Sequence, residues 1–448
     1  MIGAKHFTGI AGYLPENRFL TGHPLLAGWL LGLAILGAFL EINFGESADD
    51  LRDVFLLSIL PAMYFAPKPL WRSAPMLFLM AACLIALLCW GVGHWLHPEI
   101  AERSPKVNRL TNWLLAIPFA LAMGGHLRAI FWVWGAAVLA LLLSPWLSGG
   151  GLAEISRGLN GFRIDFALHN AQHTALYFGV ALLGMFAFMP RVIASGAPKA
   201  VMFVIWLLVT AFIMVAVLIT QTRGVWLGLL VGFVTLGGLM GLDLARRRAP
   251  ASARRWILLA AGMLVALFAS QSGVVVDRLK AEADVLGKVV QGQPIEDATT
   301  SSGIRLRSWA AAVPWIKERP IVGWGGQGRK AVIEKTDQLP QRIKDITRHL
   351  HSSYMDTLVN FGLLGFTLLL SLWGWLLYGA KSACKDGRIP RDLFNFFVAF
   401  MAYFAVVNLF ESYMYYSSGV LVFALICGGV ISCIWCPKQT QVTQSPGP

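Results

Sequence analysis

The chain has 448 residues, of which 56% are hydrophobic and only 14% charged, with a formal net charge of +13 and a mean hydropathy of +0.62. Soluble domains carry about a quarter charged residues, so this composition excludes an ordinary soluble enzyme and points to a helical membrane protein. The positive charge does not imply nucleic-acid binding, because the largest basic clusters flank apolar runs and no nucleic-acid module is visible.

In chain order, spans are predicted near 23–42, 51–66, 73–95, 110–125, 127–147, 172–190, 199–219, 224–243, 255–272, 354–379, 392–410 and 417–436. The second and fourth are short for a bilayer crossing. The expectation is an all-α polytopic membrane protein of about 12 transmembrane helices. Residues 1–22 are not read as a cleavable signal, since the first apolar run begins only after His23 and lacks a small-residue cleavage pattern. Basic clusters fall at Lys68/Arg72, Arg191/Lys199, Arg246-Arg247-Arg248 with Arg254-Arg255, and Lys381, Lys385, Arg388 and Arg391. The positive-inside rule then puts both termini in the cytoplasm and segment 273–352 outside. The expected organisation is a membrane domain at 1–272, an outer loop domain at 273–352, a second membrane part at 353–436 and a disordered tail at 437–448. The outer segment holds thirteen Lys and Arg residues against nine Asp and Glu, which suits an anionic ligand. None of the six cysteines lies in it, so disulfides are not expected, and Cys433-x-x-Cys436 alone is a weak redox or metal signal.

Several polar residues gather at the predicted outer face. Gln221-Thr222-Arg223-Gly224 is a tight turn between two spans, and an arginine there either anchors the interface or binds phosphate through its planar fork. Asp165, His169 and His173 have the i, i+4, i+8 spacing of one helical face, read as polar cavity lining rather than a metal trio. After the N-cap candidates Thr300-Ser301-Ser302, a helix is predicted from Gly303 to a bend near Pro314. Arg305 and Trp309 share a face of it, while Arg307 points elsewhere. Arg305 in the first turn, beside exposed amides, makes an anion site or a solvated surface charge. The run Arg319-Pro320-Ile321-Val322-Gly323-Trp324-Gly325-Gly326 is a tight turn rather than a P-loop, because no Lys-Ser/Thr follows. Ser353 and Asp356 form a capping-box pattern, with His351 just ahead of the helix they begin. The helix dipole and Arg348 disfavour imidazolium there, as a general base requires. His349 competes for that role, and Glu411 is a reserve base or arginine partner.

Taken together, these residues resemble the O-antigen ligase family, within the wider superfamily that includes O-antigen polymerases and protein O-oligosaccharyltransferases. The resemblance covers the span pattern and the large loop before the tenth span. Its most specific part is His351-Ser352, nine residues, Gly362, two residues, Gly365. Thr222-Arg223-Gly224 and Gly303-Ile304-Arg305-Leu306 match the family's two arginine sites. The resemblance implies a GT-C-like fold in the bacterial inner membrane, with the active site facing the periplasm. It implies transfer of polysaccharide from an undecaprenyl-pyrophosphate-linked donor to a sugar hydroxyl of lipid A–core, with inversion and no metal or other cofactor. On this reading His351 is the catalytic base. Arg223 and Arg305 hold the pyrophosphate, with Arg307 assisting and His349 nearby. An O-antigen polymerase would use the same donor, and the spacing after His351 favours ligase. A protein O-oligosaccharyltransferase is disfavoured because no added domain follows the last span. A secondary transporter is the rival of another class, disfavoured because the strong charges sit at the boundary rather than the midplane.

Overall fold

The computed structural model describes residues 15–193, 198–246, 301–337 and 339–437, with position 262. The predicted span at 255–272 otherwise lies outside these residues, as do 1–14, the 273–300 part of the long loop, and the tail from 438. In chain order the main helices are α1 (Pro24–Phe44), α2 (Asp49–Phe65), α3 (Ala74–Leu96), α4 (Leu127–Leu147), α5 (Ala171–Ile193), α6 (Lys199–Ile219) and α7 (Arg223–Ala245). They continue as α8 (Ser301–Glu318), α9 (Gly328–Lys335), α10 (Ser353–Lys385), α11 (Arg391–Phe410) and α12 (Ser417–Trp435). Among the described residues nine of these, all but α2, α8 and α9, are long and apolar enough to cross a membrane. Only 22% of the apolar stretch of α3 is buried by other protein, and Leu77, Met80 and Leu84 are exposed on it. Such faces are stable only against lipid. The chain is a polytopic helical membrane protein.

The segment read as a span at 110–125 is corrected. It is a short turn of helix (Asn108–Thr111), a 3-10 turn (Asn112–Leu114) and a short helix (Ala116–Met123). Pro118 cannot return a hydrogen bond to the carbonyl of Leu114, which favours a break in the helix just before it. The piece is buried instead of lipid-facing, and α12 comes so close at Gly428 that a Cβ there would lie 2.7 Å from that of Phe119. The helix predicted to reach a bend near Pro314 runs on through it to Glu318. Trp309, Ala311, Ala312, Trp315 and Ile316 all pack into one small core with Val332, Ile333, Ile343 and Val359. Packing on both sides of the proline outweighs its missing hydrogen bond.

The two glycine-bearing motifs meet each other. Gly362 interrupts α10 at φ 57°, ψ −153°, a conformation open essentially to glycine alone. The kink frees backbone groups that pair with the 319–325 run: Leu363 N–H donates to Pro320 O (2.8 Å), Trp324 N–H to Val359 O (2.9 Å), and Gly325 N–H to Asn360 O (2.8 Å). A Cβ on Gly362 would run into the Ile321 carbonyl, and one on Gly323 would lie 2.6 Å from Val359 O. The glycine-rich turn therefore docks the loop onto α10. Gly362→Ala is expected to cost about 3 kcal/mol or more, read as a large drop in thermal midpoint.

The opposite helix ends are braced by charge. Arg191 forms a bidentate pair with Asp392, and Arg391 Nε donates to Asp243 at 2.9 Å, which Asn395 also meets at 2.8 Å. The basic residues that set the predicted orientation thus also tie α5, α7 and α11 together.

Candidate active site

The site forms where α5, α7, α8, α10, α11 and α12 begin or end. Ser352 is the N-cap of α10, its hydroxyl accepting from Met355 N–H. This corrects the expected cap at Ser353, whose hydroxyl donates instead to Asn408 Oδ1 (2.5 Å) on α11. Asp356 does not close a capping box either. Its carboxylate accepts from Leu350 N–H (3.0 Å) and from Arg329 Nη1 (2.6 Å), with both side chains buried. Asp356 thereby fixes the peptide between the two histidines. His351 itself sits at φ 51°, a left-handed conformation that a non-glycine residue holds only when its surroundings impose it.

Glu411 follows α11 and is the group that organises the histidines. It is 3% exposed, and His351 Nδ1 lies 3.2 Å from its Oε2. Burial acts to raise Glu411, but the His351 hydrogen bond and the charges of His351 and His349 outweigh it and hold the carboxyl at about 2. An ionised carboxylate can only accept, so Nδ1 of His351 carries the proton and the Nε2 lone pair is left for chemistry. Nε2 stands 3.2 Å from the Thr347 hydroxyl. His349 is arranged differently. Its Nδ1 accepts from His351 N–H (3.2 Å) and also meets Ser412 Oγ at 3.2 Å, so its lone pair is already used. Burial, then the charge of His351, lowers His349 from 6.5 to about 4.

A depressed histidine takes up fewer protons folded than unfolded. Its stabilising effect is complete above pH 6.5 and is lost as pH falls towards 4. The wild-type thermal midpoint should fall across that window, and His349→Asn should remove much of the fall.

Arg305 is brought to the same place. Its Nε donates to Phe410 O (2.9 Å), one residue before Glu411, and Nη2 reaches Gln172 Oε1 at 3.3 Å. One turn along, Trp309 Nε1 donates to Leu350 O (2.7 Å), between the histidines. The predicted shared face of Arg305 and Trp309 thus ties α8 to both halves of the site. Arg223 opens α7, where Gly224 packs so tightly on Phe410 that a Cβ would lie 2.9 Å from its Cβ. The Thr222 hydroxyl donates to Ala171 O (3.1 Å) rather than capping α7. Both arginine-bearing turns therefore meet at Phe410. Arg307, about 200° round α8 from Arg305, faces away from it.

The 165–173 spacing is corrected. Residues 165–170 are non-helical, with Phe166, Ala167 and His169 at positive φ, so the three side chains do not share a helical face. Asp165 accepts from Ala167 N–H (3.0 Å), and buried His173 bonds the Ser418 hydroxyl. Tyr416 stands between the groups, its ring centroid 5.1 Å from that of His173 and 5.2 Å from that of His349. Sequence reasoning kept Glu411 only in reserve and missed Asp356 as the anchor of the His loop, Thr347, and Arg163, whose Nε donates to Thr220 O at 3.1 Å. A lone carboxylate ending an apolar run was the available signal for Glu411.

His349, His351 and Glu411 each offer a ligand atom within 4.8 Å of the others, a set that could hold a metal ion. The arrangement otherwise defines an integral membrane protein carrying a carboxylate-oriented imidazole beside an arginine-lined boundary. Residues 203–370, which include Arg223, Arg305 and His351, match the family model described as O-antigen ligase. This stretch of the chain is similar to the O-antigen ligase family. The likeness supports ligase- or polymerase-type chemistry in lipopolysaccharide synthesis. No curated protein matches the chain.

Proposed function

We propose that the protein is an O-antigen ligase of the bacterial inner membrane. It takes polysaccharide from undecaprenyl pyrophosphate and transfers it, with inversion and without a metal, to a sugar hydroxyl of lipid A–core on the periplasmic face. The observation that carries this reading is the buried Glu411–His351 pair beside Arg305. His351 Nε2 takes the acceptor hydroxyl's proton as that oxygen bonds to the anomeric carbon. The bond from that carbon to the pyrophosphate oxygen breaks, and undecaprenyl pyrophosphate leaves. Arg223 and Arg305 offset the charge that builds on it, the work a metal does in other transferases. His349, neutral and with its lone pair engaged, shapes the pocket. Replacing Arg223 or Arg305 by Lys keeps the charge but loses the fork, and each is expected to slow transfer about tenfold or more. Wild-type rates in both Lys variants would remove their assigned role.

The test supplies purified protein with undecaprenyl-pyrophosphate glycan, with and without lipid A–core. Glycan-capped lipid A–core is the expected product. Lengthened lipid-linked glycan with the acceptor untouched would make the protein a polymerase, and movement of unchanged glycan across a vesicle would make it a transporter.

A further inference from the structure

Away from His351, a second set of polar side chains faces one cavity of about 410 Å³. Glu41 of α1, Arg52 and Asp53 of α2, Asn108 and Asn112 of the broken 108–123 segment, and Ser417 of α12 line it. Its deeper wall is apolar, with Leu33 and Phe119. Arg52 is answered by Asp49 at 2.8 Å. The Glu41 carboxylate and the two asparagine amides make no side-chain hydrogen bond to other described residues. A carboxylate three residues before the end of a membrane-crossing helix is costly to hold unless a polar partner meets it.

The cavity adjoins the reacting centre. Trp113, next to Asn112, donates through Nε1 to Met414 O (2.9 Å), and its ring lies 6.1 Å from that of Tyr415. Ser417 follows Tyr416, whose ring faces His349. The 413–417 turn thus links the two, with Ser417 lining the cavity and Tyr416 facing the site. Arg305 lies on the side of that turn where Tyr413 OH donates to Gln172 O (2.8 Å), against α5, while the cavity lies against α1 and α2. An inverting displacement needs its nucleophile opposite the leaving group, and this division supplies the two sides.

We propose that this cavity is the acceptor subsite, binding a sugar ring of the lipid-anchored saccharide that receives the glycan. A carboxylate and two carboxamides provide both acceptors and donors for adjacent ring hydroxyls, and the apolar wall suits the ring's C–H face. The assignment rests on the ligase reading for the identity of the saccharide.

The experiment uses the full chain in lipid nanodiscs and deacylated lipid A–core oligosaccharide as the soluble probe. Binding is measured by calorimetry, and KM for lipid A–core and for donor are measured separately. Glu41→Gln and Asn112→Ala are each expected to weaken oligosaccharide binding and raise acceptor KM about tenfold, with donor KM unchanged. The unchanged donor KM also shows that the variants fold. Wild-type acceptor KM and binding in both variants would overturn the subsite while leaving the ligase reading intact. A rise in donor KM instead would assign the cavity to the donor glycan and overturn the proposal. Oligosaccharide binding that depends on Glu41 and Asn112, with no transfer by wild type, would sink the ligase reading and keep the subsite.

Discussion

Glu411→Gln is expected to slow glycan transfer roughly 10³–10⁴-fold with donor KM little changed. Glutamine fits the same space, but its amide can donate a hydrogen bond to His351 Nδ1. That would move the imidazole proton to Nε2 and remove the lone pair facing the acceptor. In the proposed mechanism the buried carboxylate, 3.2 Å from Nδ1, is what makes His351 a base. A Glu411→Gln rate within tenfold of wild type would show that His351 needs no orienting carboxylate.

Asp356→Ala carries the second large effect, on stability and rate together. Arg329 would be left buried and unpaired, which costs about 3–5 kcal/mol. The Leu350 N–H would also lose its acceptor, and with it the fixed geometry of the His349–His351 segment. The two consequences separate in the double variant Arg329→Met with Asp356→Leu. Removing both charges is expected to restore most of the thermal midpoint while transfer stays low, because the Leu350 contact is still missing. Recovery of both would show that Asp356 serves stability alone.

The sequence made the membrane class and most helix positions legible, because a bilayer demands long apolar runs and only helices satisfy their backbone there. The 110–125 segment misled, because it is as apolar as a span but is buried by protein rather than lipid. Apolar content does not distinguish those two surroundings. His351, Arg223 and Arg305 were singled out from local pattern, each at a helix start beside polar residues. Glu411 and Asp356 could not be ranked the same way. Their roles depend on contacts between residues far apart in sequence, such as Glu411 with His351 and Asp356 with Arg329. The trio at 165–173 failed for the converse reason. Its helical spacing was real, but three positive φ values take the backbone out of helix.

The most direct test of the central claim compares transfer to lipid A–core by wild type, His351→Ala and His349→Ala, all with chelator present. The account predicts full wild-type activity in chelator, loss of about 10³-fold or more in His351→Ala, and substantial activity in His349→Ala. Loss of wild-type activity in chelator, restored by added metal, would contradict it and make His349, His351 and Glu411 metal ligands instead of a base and its supports.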